Sequence, residues 1–177
     1  GFRSELVSKI IGFNSHVVIQ SQNEADERSL LDSNYIKSIS KNIIFSNSGE
    51  VVLINKNFTK GLSLRGYDSE DFKKLEIFKK INHENKEDFF EGKTISIGKE
   101  LSFDLNLHIG DTVLLMSPTG EDTIIGNLPK QENYKITSIF DSGLIEFDQN
   151  VAFLNIENLE GLLNLDSSKR NIEVYLN

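Results

Sequence analysis

Three sets of side chains in this 177-residue chain could in principle do chemistry: clustered carboxylates, histidines, and a glycine-lysine-threonine run. Asp141, Glu146 and Asp148 lie close together in sequence. A glycosidase-like acid pair needs two carboxylates held about 5–10 Å apart in a cleft, a separation that spacing along the chain does not fix. Solvated acids of turns and strand edges are the commoner explanation. His16, His83 and His108 stand in separate segments, with no i,i+4 pair and no His-Glu spacing, so a metal would bind only if the fold gathered them. Glu91-Gly92-Lys93-Thr94 ends like a phosphate-binding loop, but the position that must be glycine is Glu87, and without it the backbone forms no anion cradle.

The chain has no cysteine, which removes disulfides, thiolate metal sites and thiol nucleophiles together. It also lacks a G-x-S-x-G nucleophile elbow, leaving only a Ser/His/Asp site assembled by tertiary contacts. The residues therefore nominate no catalytic group, no metal ligand and no cofactor. A net charge of −8, without a stripe of Lys and Arg, argues against wrapping nucleic acid. An apolar fraction of 38% and a charged fraction of 26% are those of a folded chain. No apolar run approaches the roughly 18 residues that a membrane-spanning helix needs.

The elements that would position any site alternate between helix and strand. The first residues, GFRSELVSKIIGF, read as an amphipathic helix with Leu6, Val7, Ile10 and Ile11 near one face. Residues 16–21 read as a strand and 23–40 as a helix. NIIFSN and EVVLINKNF read as two strands joined at a turn in SNSGE, followed by a strand over 61–67. Asp68 is an N-cap for a helix DSEDFKKLEIFKKI, and residues 82–93 read as loop. TISIGKELSFDLNLHIGDTVLLMSP gives strand, short helix, turn and strand, with Gly98 and Gly110 at turns. YKITSIFDSGLIEFD reads as two strands meeting at Asp141-Ser142-Gly143, then VAFLN as a strand, IENLEGLLNL as a helix and NIEVYLN as the last strand. The fold class is α+β. Two βαβ-like segments, at roughly 16–46 and 150–176, would pack together and make the middle of the chain an insertion. The missing initiator Met and the abrupt last strand read as a piece of a longer protein.

The ordered set Gly1-Phe2-Arg3, Gly61-Leu-Ser-Leu-Arg-Gly66, Ile97-Gly-Lys-Glu-Leu101, Leu107-His-Ile-Gly-Asp-Thr-Val113, Met116-Ser-Pro118 and Gly126-Asn-Leu-Pro-Lys130 resembles one family. It continues through Tyr134–Phe140, Ser142–Asp148 and Ile172–Leu176. The resemblance is to the extracytoplasmic domain of the membrane subunit of the bacterial lipoprotein-releasing ABC transporter, the LolC/LolE type, in the MacB-like superfamily. It implies a two-lobed periplasmic module over 1–177, lying between the first and second transmembrane helices, with GFRSEL extending the first. A porter-like lobe of βαβ units would comprise 14–65 and 133–177. A strand-rich lobe over 66–132 would be inserted into it and carry a hook hairpin at 117–132.

In such a subunit the hook recruits a soluble periplasmic carrier of lipoproteins. The matching residues here are Pro118, Thr119, Gly120, Ile124, Ile125, Gly126, Asn127, Leu128, Pro129 and Lys130. The other implied partners are a second membrane subunit, a cytoplasmic ATPase subunit and the lipoprotein cargo, all at the Gram-negative inner membrane. The domain itself would bind and not catalyse. Both prolines of the chain, Pro118 and Pro129, bracket this stretch, which would fix φ at the base and keep the arms out of neighbouring sheets. Ile124, Ile125 and Leu128 would form an exposed apolar cluster of the kind that marks a partner site. The sequence departs from the family in having Asn127 where a basic residue is frequent, and in reducing the following basic cluster to Lys130. Two rivals remain: a related exporter or division-associated subunit that binds an adaptor or a cell-wall hydrolase, and a secreted hydrolase with a carboxylate pair.

Overall fold

Alternation of buried and exposed positions builds the centre of the molecule. Each of six strands contributes two residues at i and i+2 to one buried apolar cluster: Val51 and Leu53, Leu62 and Leu64, Ile95 and Ile97, Val113 and Leu115, Tyr134 and Ile136, Ala152 and Leu154. Residues i and i+2 share a face of a strand, so twelve side chains meet inside one surface. The computed structural model describes residues 6–7, 17–20, 40–82, 90–119 and 121–176. Its strands are β1 Leu6–Val7, β2 Val17–Gln20, β3 Ser40–Asn55, β4 Phe58–Tyr67, β5 Ile81–Asn82, β6 Thr94–Gly98 and β7 Thr112–Met116. They continue with β8 Glu121–Thr123, β9 Gly126–Leu128, β10 Gln131–Phe140, β11 Val151–Asn155 and β12 Asn171–Leu176. The helices are α1 Ser69–Phe72, α2 Lys99–Leu105, α3 Ile145–Asn150 and α4 Ile156–Leu163.

Hydrogen-bonded pairing runs β3–β4–β11–β6–β10–β7 and returns from β7 to β3, so the six strands close into a ring. The pairs β4–β11 and β6–β10 are parallel, and the other four are antiparallel. Closure removes free edges and leaves a small interior that side chains fill. Leu101 of α2, Leu107, and Leu159 and Leu162 of α4 complete the same cluster. A second cluster, rich in aromatics, packs Tyr67, Phe72, Phe90, Phe140 and Phe153. Phe72 and Phe90 stack there with centroids 4.5 Å apart.

The first half of β3 leaves the ring and pairs with β12, which pairs with β2, which pairs with β1. Two antiparallel steps make β2 parallel to β3 with β12 between them. The ladder signs likewise make β11 and β12 parallel, with α4 connecting them, as the βαβ pattern at 150–176 anticipates. The expected lobe boundaries, however, are crossed by the ladders. β6 and β7, from 66–132, sit in the ring between strands drawn from 14–65 and 133–177. Where Tyr67 of β4 meets the outer sheet, its hydroxyl donates to both carboxylate oxygens of buried Glu173 on β12, at 2.9 and 2.8 Å. Tyr175 donates to the same carboxylate at 2.8 Å.

Several elements differ from the sequence expectation. Leu6–Val7 belong to a strand paired with β2, not to a helix, Ser40 of the helix expected over 23–40 opens β3, and Ile81-Asn82, expected as helix end and loop, form β5; the rest of those two helices and residues 83–89 lie outside the described residues. SNSGE is no turn, because β3 runs unbroken through it for sixteen residues. Gly49 is there for proximity: a Cβ at that position would come within 2.4 Å of Leu163 Cδ1 on α4. The turn falls instead at Lys56-Asn57, with Lys56 at φ 51°. Asp68 does cap α1, accepting from Glu70 N at 3.0 Å, but the helix stops after one turn and resumes as a 3-10 segment at Glu76–Lys80. Gly110, at φ 99°, is a turn glycine, whereas Gly98 lies against the backbone of Asp148. Residues 145–150 are helical, not a second strand, because Asp148 folds back to bond the turn at Ser142.

The glycine contacts rank three substitutions. A Cβ at Gly98 would fall 2.0 Å from the Asp148 carbonyl oxygen, which is backbone and cannot rotate away. Gly98→Ala should therefore cost about 3 kcal/mol or more in urea unfolding. Gly49→Ala meets only a leucine methyl that can turn aside and should cost about 1 kcal/mol. Gly61, with no heavy atom within 4 Å of where a Cβ would sit, should tolerate alanine within about 1 kcal/mol.

Candidate functional site: the hairpin between β7 and β10

β7 and β10 pair from Thr112–Lys135 up to Met116–Gln131, and there the ladder stops. A separate two-stranded sheet, β8 with β9, begins at Glu121–Leu128 and ends at Thr123–Gly126. The two proline positions lie in the gap between these ladders, where Pro129 has no N–H to donate. The arms cross the gap with unequal lengths, residues 117–120 on one side and 129–130 on the other. They are tied by the bond from Ser117 N to the Lys130 carbonyl oxygen, 2.9 Å.

Ile124 and Ile125 form the two-residue connection at the tip, with fractional exposures of 105% and 83%. Leu128 is half exposed at 48%. Two-residue hairpin turns favour Asn-Gly, Asp-Gly or Gly-first sequences, because those residues accept positive φ. Among the described non-glycine residues only Lys56, Asn106 and Asn164 have positive φ, so neither isoleucine does. The left-handed step is taken by Gly126, at φ 119°. A pair of β-branched apolar residues therefore occupies a tight turn without serving turn geometry or a core. Pro118, Thr119 and Pro129 are exposed, the Asn127 backbone pairs with Asp122, and Gly120 lies outside the described residues.

The base is held by a polar network that the sequence reading missed. Glu132, near the start of β10, accepts from Lys93 and from Tyr134 Oη at 3.0 Å, and Lys130 Nζ stands 3.7 Å from its other oxygen. Lys130 Nζ also donates to the Gly161 carbonyl oxygen of α4 at 2.9 Å. Burial pushes the Glu132 carboxyl up, but bonds from Lys93 and Tyr134 and the charges of Lys93 and Lys130 outweigh it, leaving the group below its ordinary value. Burial, reinforced by Glu132, raises the Tyr134 phenol. The only hint of this arrangement in the sequence is the i,i+2 spacing of Glu132 and Tyr134, which share a face of β10, with Lys130 just before the strand.

Among the described residues Asp141, Glu146, Asp148 and His108 are not gathered into one cleft. Asp148 is 2% exposed and raised by burial, against bonds from Ser142 that lower it. Its oxygens accept from Ser142 N at 3.1 and 3.2 Å and from Ser142 Oγ at 2.5 Å, so it closes the turn into α3. Asp141 accepts from Gly143 N at 3.1 Å, and Glu146 lies exposed on α3. His108 sits in the turn before β7, its N–H bonded to Asp111 at 2.8 Å. It borders an open depression of about 470 Å³ lined also by Lys99 and Phe103 of α2. His16 and His83 lie outside the described residues, among which no three His, Asp or Glu side chains stand together as a metal site. No described helix is long and apolar enough to cross a membrane.

Linkage follows from the Glu132 shift. A carboxyl depressed in the fold contributes stability that is complete above its ordinary value of 4.5 and is lost as pH falls through the lower folded value. Glu132→Gln should flatten the acid limb of stability below that pH in urea unfolding. At neutral pH it should cost about 1 kcal/mol or less. An unchanged acid limb would assign the pH dependence to other carboxylates.

No family model matches the chain. It is similar to the lipoprotein-releasing system transmembrane protein LolC of Neisseria meningitidis serogroup B, with 23% identity over 188 aligned residues that take in 99% of this chain and 43% of that protein. It is also similar to LolC of Xylella fastidiosa, with 28% identity over 72 residues, 41% of this chain and 17% of that protein. The chain thus spans less than half the length of these curated relatives. In structure it is similar to the periplasmic region of MacB from Actinobacillus actinomycetemcomitans, with a TM-score of 0.53 and 12% identity over 89% of this chain and 66% of that one. The extracellular domain of the ABC-type transporter YknZ from Gram-positive bacteria gives a TM-score of 0.54 and 15% identity, over 89% and 73% of the two chains. The chain is therefore LolC-like in sequence and has the fold of the MacB-like periplasmic domains of ABC-transporter permeases.

Proposed function

We propose that this chain is the periplasmic domain of an inner-membrane ABC-transporter subunit that releases lipoproteins, and that its β8–β9 hairpin is the hook that captures a soluble lipoprotein carrier. The observation that carries this reading is the pair Ile124-Ile125, solvent-exposed at the tip of a hairpin whose ladder is broken from the body at two prolines. Burial in a partner explains apolar residues that neither the turn nor the core uses. Ordered arms lower the entropy lost on docking. The domain binds, while ATP hydrolysis belongs to a separate cytoplasmic subunit and the acyl chains pass between cargo and carrier.

Among the described residues, the bonds that Asp148 makes within its own turn take up the carboxylate that the hydrolase reading would use. The test is calorimetric titration of the purified chain with the periplasmic lipoprotein carrier, beside a variant carrying Ile124→Ser and Ile125→Ser. Burying each isoleucine is worth about 1.5–3 kcal/mol, so the variant should bind about a hundredfold more weakly or not at all. Its thermal midpoint should match the parent's, because both side chains are exposed. Absence of binding by the parent would turn the function toward an exporter-like subunit with another partner.

A further inference from the structure

We propose that Lys130 is a positioning residue, an intramolecular latch that sets the angle of the hairpin against helix α4, and not a cation offered to the partner. The inference rests on the hook reading and specifies how that hook is held. Between the last pair of the β7–β10 ladder and the first pair of the β8–β9 ladder, the arms have prolines where continuous pairing would need donors. Such a break lets a hairpin swing about its base. Lys130 occupies that base twice over. Its carbonyl oxygen accepts from Ser117 N at 2.9 Å and joins the arms, and its amine donates to Gly161 O at 2.9 Å and joins them to α4.

The acceptor suits a cation. Gly161 lies in the last turn of α4, where carbonyls lack helical partners and carry the negative end of the helix dipole. Both Asn164 N and Leu165 N bond to the Glu160 carbonyl, one residue earlier, leaving the Gly161 oxygen to the lysine. The mount is firm. Glu160, on the same turn, receives Arg170 Nε and Nη2 at 2.9 and 2.7 Å and Asn47 Nδ2 at 3.1 Å. α4 is thereby tied to β3 and to the segment entering β12. Glu132, 3.7 Å from the amine, adds a carboxylate to the same cation. A lysine engaged by these two acceptors has its charge paired within the domain, at a half-buried surface position.

The absence of cysteine allows clean double labelling. Spin labels at Thr123→Cys, beside the tip, and Glu157→Cys, exposed at the start of α4, report the angle as a distance distribution in the free protein. The distribution should broaden in Lys130→Met and narrow again in Lys130→Arg, whose longer fork still reaches the carbonyl. An unchanged distribution in Lys130→Met overturns the latch. Titration with the lipoprotein carrier separates the two roles of the charge. Loss of a latch should weaken binding about fivefold, through the extra ordering that a loosened hairpin undergoes on docking, and leave the salt dependence of Kd as in the parent. Loss of a docking cation would instead flatten that dependence, which also overturns the proposal. If the parent fails to bind the carrier while the distances broaden as expected, the latch stands and the carrier reading falls.

Discussion

The structure depends on one strand serving two pairing systems. The second half of β3 closes the six-stranded ring against β4 and β7, and its first half forms an outer sheet with β12. A break at residues 46–50 would uncouple the two. Helix α4 lies close over the strand there, and Gly49 leaves room for the tip of Leu163, which would have to turn aside for a side chain at that position. Gly66, on the neighbouring strand, similarly allows Ile156 and Leu159 to approach. The polar side chains beside Gly49 are used as well, Asn47 bonding to Glu160 of the helix. Helix, ring and outer sheet are therefore registered at one place.

The hairpin obeys different rules from the body. In the ring the inward positions are apolar and buried, and local preference agrees with the tertiary contacts. At the hairpin tip, turn chemistry and hydrophobic burial both fail for Ile124 and Ile125. A local rule broken without internal compensation is the signature expected of a surface selected for something outside the molecule. The network beneath it, with Lys93, Glu132, Tyr134 and Lys130, is conventionally satisfied. Strained logic at the tip thus stands on a stable footing.

What could be read from the sequence follows from range. The alternating strand at 94–98, the short apolar run at 112–116, and the cap Asp68 before α1 announce themselves locally. The ring does not, since its closure pairs β4 with β11 and β6 with β10 across long stretches of chain. Two glycines misled for the same reason: Gly49 and Gly98 look like turn residues, and each is a contact with a helix distant in sequence. SGLIEFD alternates well enough for a strand, yet the buried Asp148 carboxylate curls it into a helix through Ser142. At the hairpin the bracketing prolines were legible because φ restriction belongs to proline itself, whereas the exposure of Ile124 and Ile125 is decided by the fold. The bond from Lys130 to Gly161 spans distant positions and left no local trace.

The ring also sets the order in which the chain can mature during synthesis. β3 and β4 form a hairpin early, but β4 acquires its other neighbour only when residues 151–155 have been made. Until then the apolar face of the hairpin, Val51, Leu53, Leu62 and Leu64, has no lid and the circle has a gap. Pairing of this separation is slow because loop closure comes before the contacts that offset its entropy. On a ribosome the nascent ring is an open sheet for most of its translation, and its unpaired edges are then accessible to whatever factor shields emerging chains.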